Sequence, residues 1–146
     1  MILPDKHIRK AIFEALAGMI VDTKEIPTYD TYATTDCPDC YVIMSNQSNA
    51  ENKANKCDSR YNSNILIDCI TRYPGPGNTG SRLLADNIAQ EVLNRVEGMQ
   101  IDPVSELQIL TQTITTPNDI TVKTPTENVF RKLIRLDFQI GALPPS

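Results

Sequence analysis

Hydrophobic positions recur along this chain at two spacings, and the switches between them divide it into elements. Over residues 5–20, Ile8, Ile12, Ala15, Leu16 and Met19 fall on one helical face, while Lys6, Arg9, Lys10 and Glu14 fall elsewhere. That pattern predicts an amphipathic helix, with Asp5 in its first turn, where the helix dipole favours a carboxylate. The segment Ile26 to Tyr32 is short and β-prone, and Pro27 marks it as an edge strand or its start. Tyr41-Val42-Ile43-Met44 reads as a strand that enters the core. Residues 45–60 are rich in Asn, Ser, Lys and Glu without a period, which predicts a flexible polar loop or a hairpin tip.

From Tyr61 the period becomes two. Tyr61, Ile65, Ile67, Cys69, Thr71 and Tyr73 share one face of a strand over 61–73. Asn62, Asn64, Asp68 and Arg72 share the other, with Leu66 and Ile70 among them. One mostly wet face is the mark of an antiparallel sheet. After a Pro/Gly turn over 74–80, Ser81 is the expected N-cap of a second helix running to about Val96. Its buried stripe is Leu84, Ala85, Ile88, Ala89, Val92 and Val96, and Gly98 is its expected stop. Glu106 to Thr116 reads as a strand, Pro117-Asn118-Asp119 as a turn, and a polar stretch follows. Val129 to Ile140 alternates again, with Phe130, Ile134, Leu136, Phe138 and Ile140 inward and Arg131, Arg135, Asp137 and Gln139 outward. Pro144-Pro145 end the chain as a short tail.

The order α-β-β-β-α-β-β predicts an α+β fold: a mainly antiparallel sheet of about five strands packed against two helices. All of it belongs to a single domain over residues 1–146, with no internal repeat. At about 3.3 Å per residue, the strands over 61–73 and 129–140 would each extend roughly 40 Å. A chain of this length folds to a radius of gyration of about 15 Å. The strand ends are therefore expected to project beyond the core and offer unpaired backbone groups to another chain.

Charge and composition narrow the function. The net charge is −4, so the chain lacks the basic surplus needed to grip phosphates as its main task. A like-charged lumen would instead let DNA pass without specific binding. With no Trp and few aromatics, the core must rest on Ile, Leu and Val. The opening Met1 to Lys6 lacks the basic and apolar runs of a signal peptide. No apolar run reaches the ~18 residues of a membrane span. Use inside a cell, with reduced thiols and no membrane contact, is the expectation.

Several motifs imitate chemistry. Gly75-Pro76-Gly77-Asn78-Thr79-Gly80 is a literal G-x-G-x-x-G between a strand and a helix. Its prolines remove donors and stiffen a turn that would have to wrap a pyrophosphate, and only one βα unit is visible. As a P-loop it fails because Ser81-Arg82 stand where Lys and a hydroxyl residue are required. A turn ahead of a helix is the preferred reading. Cys37-Pro38-Asp39-Cys40 is a C-x-x-C, but Cys57 and Cys69 are twelve apart, a poor spacing for a zinc site. A local disulfide or free thiols are expected, and a metal- or thiol-dependent binding module using Cys37 and Cys40 is the alternative function. His7 is the only histidine, which removes most hydrolase constellations. Asp68 is read as solvated or paired with Arg72, and the charged run 51–56 as a solvated loop.

The whole pattern nevertheless resembles a known family. An amphipathic helix leads to a short Tyr-containing strand and a Cys/Pro-rich approach to Tyr41-Val42-Ile43-Met44. A polar loop follows, then an alternating strand ending Thr71-Arg72-Tyr73. After a Pro/Gly/Asn turn come a helix with Leu84-Ala85-Asp86-Asn87-Ile88-Ala89 and two further strands. This looks like the tail terminator and tail completion proteins of tailed bacteriophages, over nearly the full length. The resemblance implies a non-enzymatic ring subunit of the virion neck or tail, assembled in the host bacterial cytoplasm. Such rings join the head connector to the tail, as hexamers in long-tailed phages and with as many as twelve copies in short-tailed necks. It implies no catalytic residue, cofactor or metal, and it names other neck, connector or tail proteins as partners. Cys37-Pro38-Asp39-Cys40 and the segment 45–60 depart from the pattern. Under this reading Arg72, Arg131 and Arg135 are the candidates for contact between subunits, since Arg tolerates interface burial beside carboxylates.

Overall fold

A computed structural model describes residues 3–52, 60–75 and 80–143. The first helix, α1, spans Asp5–Leu16 and buries Ile8, Ile12 and Leu16. It stops short of the predicted residue 20 because Ala17 is extended and Gly18 adopts a φ of +68°, a left-handed turn that costs glycine little. Arg95, far along the chain, donates to the carbonyls of Ala15 at 3.2 Å and Ala17 at 3.1 Å. It thereby satisfies acceptors that the helix end leaves open.

A small antiparallel ribbon follows, β1 (Ile20–Val21) with β2 (Lys24–Glu25), joined through Asp22 and Thr23, both at positive φ. Two left-handed central residues suit the twist of a tight hairpin. The main sheet holds β3 (Thr28–Asp30), β4 (Cys40–Asn52), β5 (Arg60–Pro74), β6 (Leu107–Thr115), β7 (Asp119–Lys123) and β8 (Glu127–Ala142). Its order is β3-β4-β5-β8-β6, with β7 also on β8. All pairings are antiparallel except β3 with β4, which is parallel.

The fold is thus α+β, with a six-stranded mixed sheet in place of the expected five strands and with additional elements in the chain order. The predicted loop at 45–60 needs the largest correction. β4 continues through Asn52, its backbone paired with β5 from Ser45 opposite Leu66 to Asn52 opposite Arg60. Polar side chains do not prevent this, because the ladder is made by main-chain groups and both partners are polar there. Residues 53–59 of that segment, with Cys57, lie outside the described residues, as do Pro144-Pro145.

The second helix, α2, spans Leu83–Val96 and buries the predicted stripe. Its N-cap is Arg82 rather than Ser81, although the Ser81 hydroxyl still accepts from the Leu83 N–H at 3.4 Å. Gly98, at φ +74°, follows the helix as expected. Most of the G-x-G-x-x-G segment lies outside the described residues. A 3-10 turn over Pro103–Ser105 leads into β6.

Both helices pack on one face of the sheet. Ile12 and Leu16 from α1 and Ile88 and Val92 from α2 share a core with Val42, Ile65, Ile67, Ile134, Leu136 and Ile140. Burying each such side chain stabilises the fold by about 1.5–3 kcal/mol. Beta-branched Ile at alternate positions of β5 and β8 suits both the pleat and the core.

Candidate functional site

Among the described residues no helix lies on the opposite face of the sheet, and the three arginines singled out above all stand on it. Register sets their neighbours. Arg131 is opposite Ile70, Arg135 opposite Leu66, and Arg72 opposite Val129. Alternation on β8 puts Arg131, Leu133, Arg135 and Asp137 on this side while Ile134 and Leu136 enter the core.

Each arginine is satisfied within its own chain. Arg131 reaches diagonally to Asp68, whose Oδ2 accepts from Nε at 3.0 Å and also from Nη2. Arg72 places Nε and Nη2 on Glu127 Oε2 at 3.1 and 2.7 Å. Arg135 Nε donates to Asp137 Oδ1 at 3.2 Å. The carboxylate beside each of the first two raises its guanidinium above the ordinary value: Glu127 for Arg72, Asp68 for Arg131. Asp68 is therefore not solvated, nor is Arg72 its partner. Its cross-strand diagonal neighbour is Arg131, a relation that only the register reveals.

Burial on this face is uneven. Asp68 is only 4% exposed, Ile70 6% and Leu133 9%, although no helix covers them. The long stem of Arg131 and the Tyr41 ring, opposite Ile70 on β4, flank this patch. Asp68 Oδ1 is buried without a hydrogen-bond partner among the described residues. Ile43, Leu66 and Val129 are half-buried around it. The result is an ion-paired centre ringed by apolar groups, a composition suited to contact with another protein surface.

A separate polar network ties the helices to the sheet ends. Lys132 Nζ lies 3.2 Å from Asp86 on α2 and 3.3 Å from Asp119 on β7. These carboxylates, Asp86 first, hold its ammonium above the ordinary value. Arg82 bonds Thr121 and lies 5.8 Å over the Phe130 ring. At the other edge, Arg9 pairs with Asp30, and its Nε donates to Gln47 Oε1 at 2.6 Å.

Cys37 is half-buried, Cys40 and Cys69 are buried, and all three thiols are free. Burial pushes the Cys40 and Cys69 thiols up, away from reactivity. Cys40 borders a cleft of about 730 Å³, between the β1–β2 ribbon and residues 38–40, which Met19, Lys24, Glu25 and Asp39 also line. Among the described residues no group of three His, Cys, Asp or Glu side chains is placed to hold a metal. Nor, among the described residues, is any helix long and apolar enough to cross a membrane.

Alternation placed the arginines on the outward face without their partners, Glu127 for Arg72 and Asp68 for Arg131, and it missed the outer edge of β4. One signal for that edge was present: residues 41–52 contain neither Gly nor Pro to stop the strand begun at Tyr41.

No protein-family model matches the chain, and no curated relative matches it. Among solved structures, a chain described as part of the virion of a native gene transfer agent particle has the same fold. The two align with a TM-score of 0.65 at 12% identity, over 92% of this chain and 96% of that one.

Proposed function

We propose that the protein is a structural, non-enzymatic subunit of a phage-like virion. In this reading copies of it form a ring in the neck or tail, six or twelve strong, joining the head connector to the tail and lining the passage for DNA. The observation that carries it is the fold shared with a virion chain over nearly the whole of both chains. A helix-free sheet face with a buried ion pair among apolar groups supports it, as does an acidic balance that repels passing DNA. Arg72, Arg131 and Arg135 then act at or beside the contact with neighbouring subunits or virion proteins, their own carboxylates keeping each charge paired when water leaves.

Sedimentation of the purified protein over a range of concentrations tests this, alone and with the virion proteins encoded beside it. The expected species has six or twelve times the 16.3 kDa protomer mass. A monomer at every concentration, unaffected by any of those proteins, would contradict the reading.

A further inference from the structure

The main sheet changes its edges halfway along. In the half that holds Val42, Cys69 and Lys132, the outer strands are β3 and β7. In the other half β3 and β7 have ended, and the outer strands are β4 beyond Met44 and β6. The overlong strands β5 and β8 do not project singly, as the sequence led us to expect; they pair with each other from Arg60–Gly141 to Pro74–Glu127. The open backbone lies on their neighbours instead.

Register sets these two outer strands level. Ser45 is opposite Leu66, Leu66 opposite Arg135, and Arg135 opposite Thr115. Further along, Ala50 is opposite Asn62, Asn62 opposite Gln139, and Gln139 opposite Thr111. Among the described residues no strand pairs with the outer side of β4 from Ser45 to Ala50, nor with that of β6 from Thr111 to Thr115. At Ile109 the edge is closed: Gln100 accepts from its N–H at 3.2 Å and donates to its carbonyl at 3.5 Å. The closure stops there.

Sheet edges that must stay single are blunted by charge, proline or shortness. β3 is three residues long, preceded by Pro27 and ending at Asp30, which binds Arg9. β7 carries Asp119 and Lys123 at its ends. The other two edges lack charge and proline: β6 has neither, nor has Ser45 to Ala50, where a register shift between Ser45 and Gln47 leaves Gln47 to Ala50 regular. The exposed hydroxyls of Ser48, Thr111, Thr113 and Thr115 can instead bond across a strand pair.

Strand direction decides the mode of pairing. Three antiparallel steps separate β4 from β6, so the two run in opposite senses. Copies related by rotation about an axis along the strands would therefore bring β4 of one beside β6 of the next in antiparallel register. Such a contact uses two different surfaces and closes into a ring when the rotation closes.

Resting on the ring reading above, we propose that sheet edges close the ring: β4 of one copy, over Ser45–Ala50, pairs antiparallel with β6 of the next, over Thr111–Thr115. The sheets of all copies then join into one.

Two measurements test this. In hydrogen exchange on the unsubstituted protein, amides within 45–50 and 111–115 should slow at least tenfold between the dilute and the assembled state. For covalent capture, Ala50→Cys is combined with Thr111→Cys, and in a second variant with Thr113→Cys to catch a two-residue stagger. The chain's own four cysteines set the background. Mild oxidation should give a ladder of multimers from a double variant and none from either single one. If the unsubstituted protein assembles while both segments exchange freely and neither double variant gives a ladder, the edge pairing is wrong and the ring reading stands. Dimers from Ala50→Cys alone would overturn head-to-tail pairing in favour of β4 against β4. A protein that never assembles overturns both proposals together.

Discussion

The two faces of strand β5 hide their side chains by different means. Toward the helices, Ile65, Ile67 and Cys69 have no exposed surface, because a second layer of structure lies on them. On the other side, Asp68 and Ile70 are nearly as buried with no helix above them, shielded only by neighbours on the same sheet. The first face is finished within one chain, and its energy comes from apolar packing. The second is covered by a single layer, and its centre is a charged pair whose value depends on how far water is excluded from it.

That contrast can be tested by substitution, beginning on the helix side. Ile134→Ala removes a side chain with no exposed surface and should lower unfolding free energy by about 2–5 kcal/mol in a denaturant titration. A loss below about 1 kcal/mol would show that this face is loosely packed.

Asp68→Ala comes next. It strands the Arg131 guanidinium against an apolar patch, and because Arg131 is partly exposed the loss should be about 2 kcal/mol, below that of a fully buried pair. Replacing both, Asp68→Leu with Arg131→Leu, should recover most of it, because apolar groups of similar size pack there without a desolvation cost. If the double variant is worse than Asp68→Ala, the pair is worth more than its apolar equivalent.

Arg72→Ala should cost about 1 kcal/mol or less, since its bonds to Glu127 lie partly in solvent. Arg135→Ala should change stability by no more than about 0.5 kcal/mol, because both Arg135 and Asp137 are exposed. Arg135→Glu then separates folding from assembly most cleanly. Its melting temperature should match the unsubstituted protein, while sedimentation should show a weaker oligomer if this face meets a neighbour. Equal assembly would remove Arg135 from the contact.

The elements legible in the sequence were those whose burial is periodic. The stripe from Leu84 to Val96 and the alternation from Ile134 to Ile140 fall where α2 and β8 bury side chains, whereas Phe130, also expected inward, is only half-buried. The distal half of β4 was not legible: Ser48, Asn49 and Ala50 carry no apolar alternation, and their place comes from backbone pairing with Asn64, Ser63 and Asn62. β7 offered only Ile120 and Val122 among five residues, too few to announce a strand beside β8. At the end of α1, the reach of Arg95 to the Ala15 and Ala17 carbonyls is encoded by no local pattern. At the candidate site, alternation identified the outward arginines, but the choice of Arg131 rather than Arg72 for Asp68 follows from interstrand register. Register is set by the whole sheet rather than by either strand alone.

The lesson extends to the two halves of the sheet. Where β3 and β7 form the edges, charge, proline and shortness end the sheet within the chain. Where β4 and β6 form them, Ser45 to Ala50 and Thr111 to Thr115 carry neither charge nor proline. A protein that worked alone would gain nothing from leaving two level, neutral edges open, and would risk uncontrolled pairing.

Electron microscopy of the purified protein tests the central claim most directly. The account predicts closed rings of one size with an open centre. Isolated protomers, or filaments that grow without closing, would contradict it.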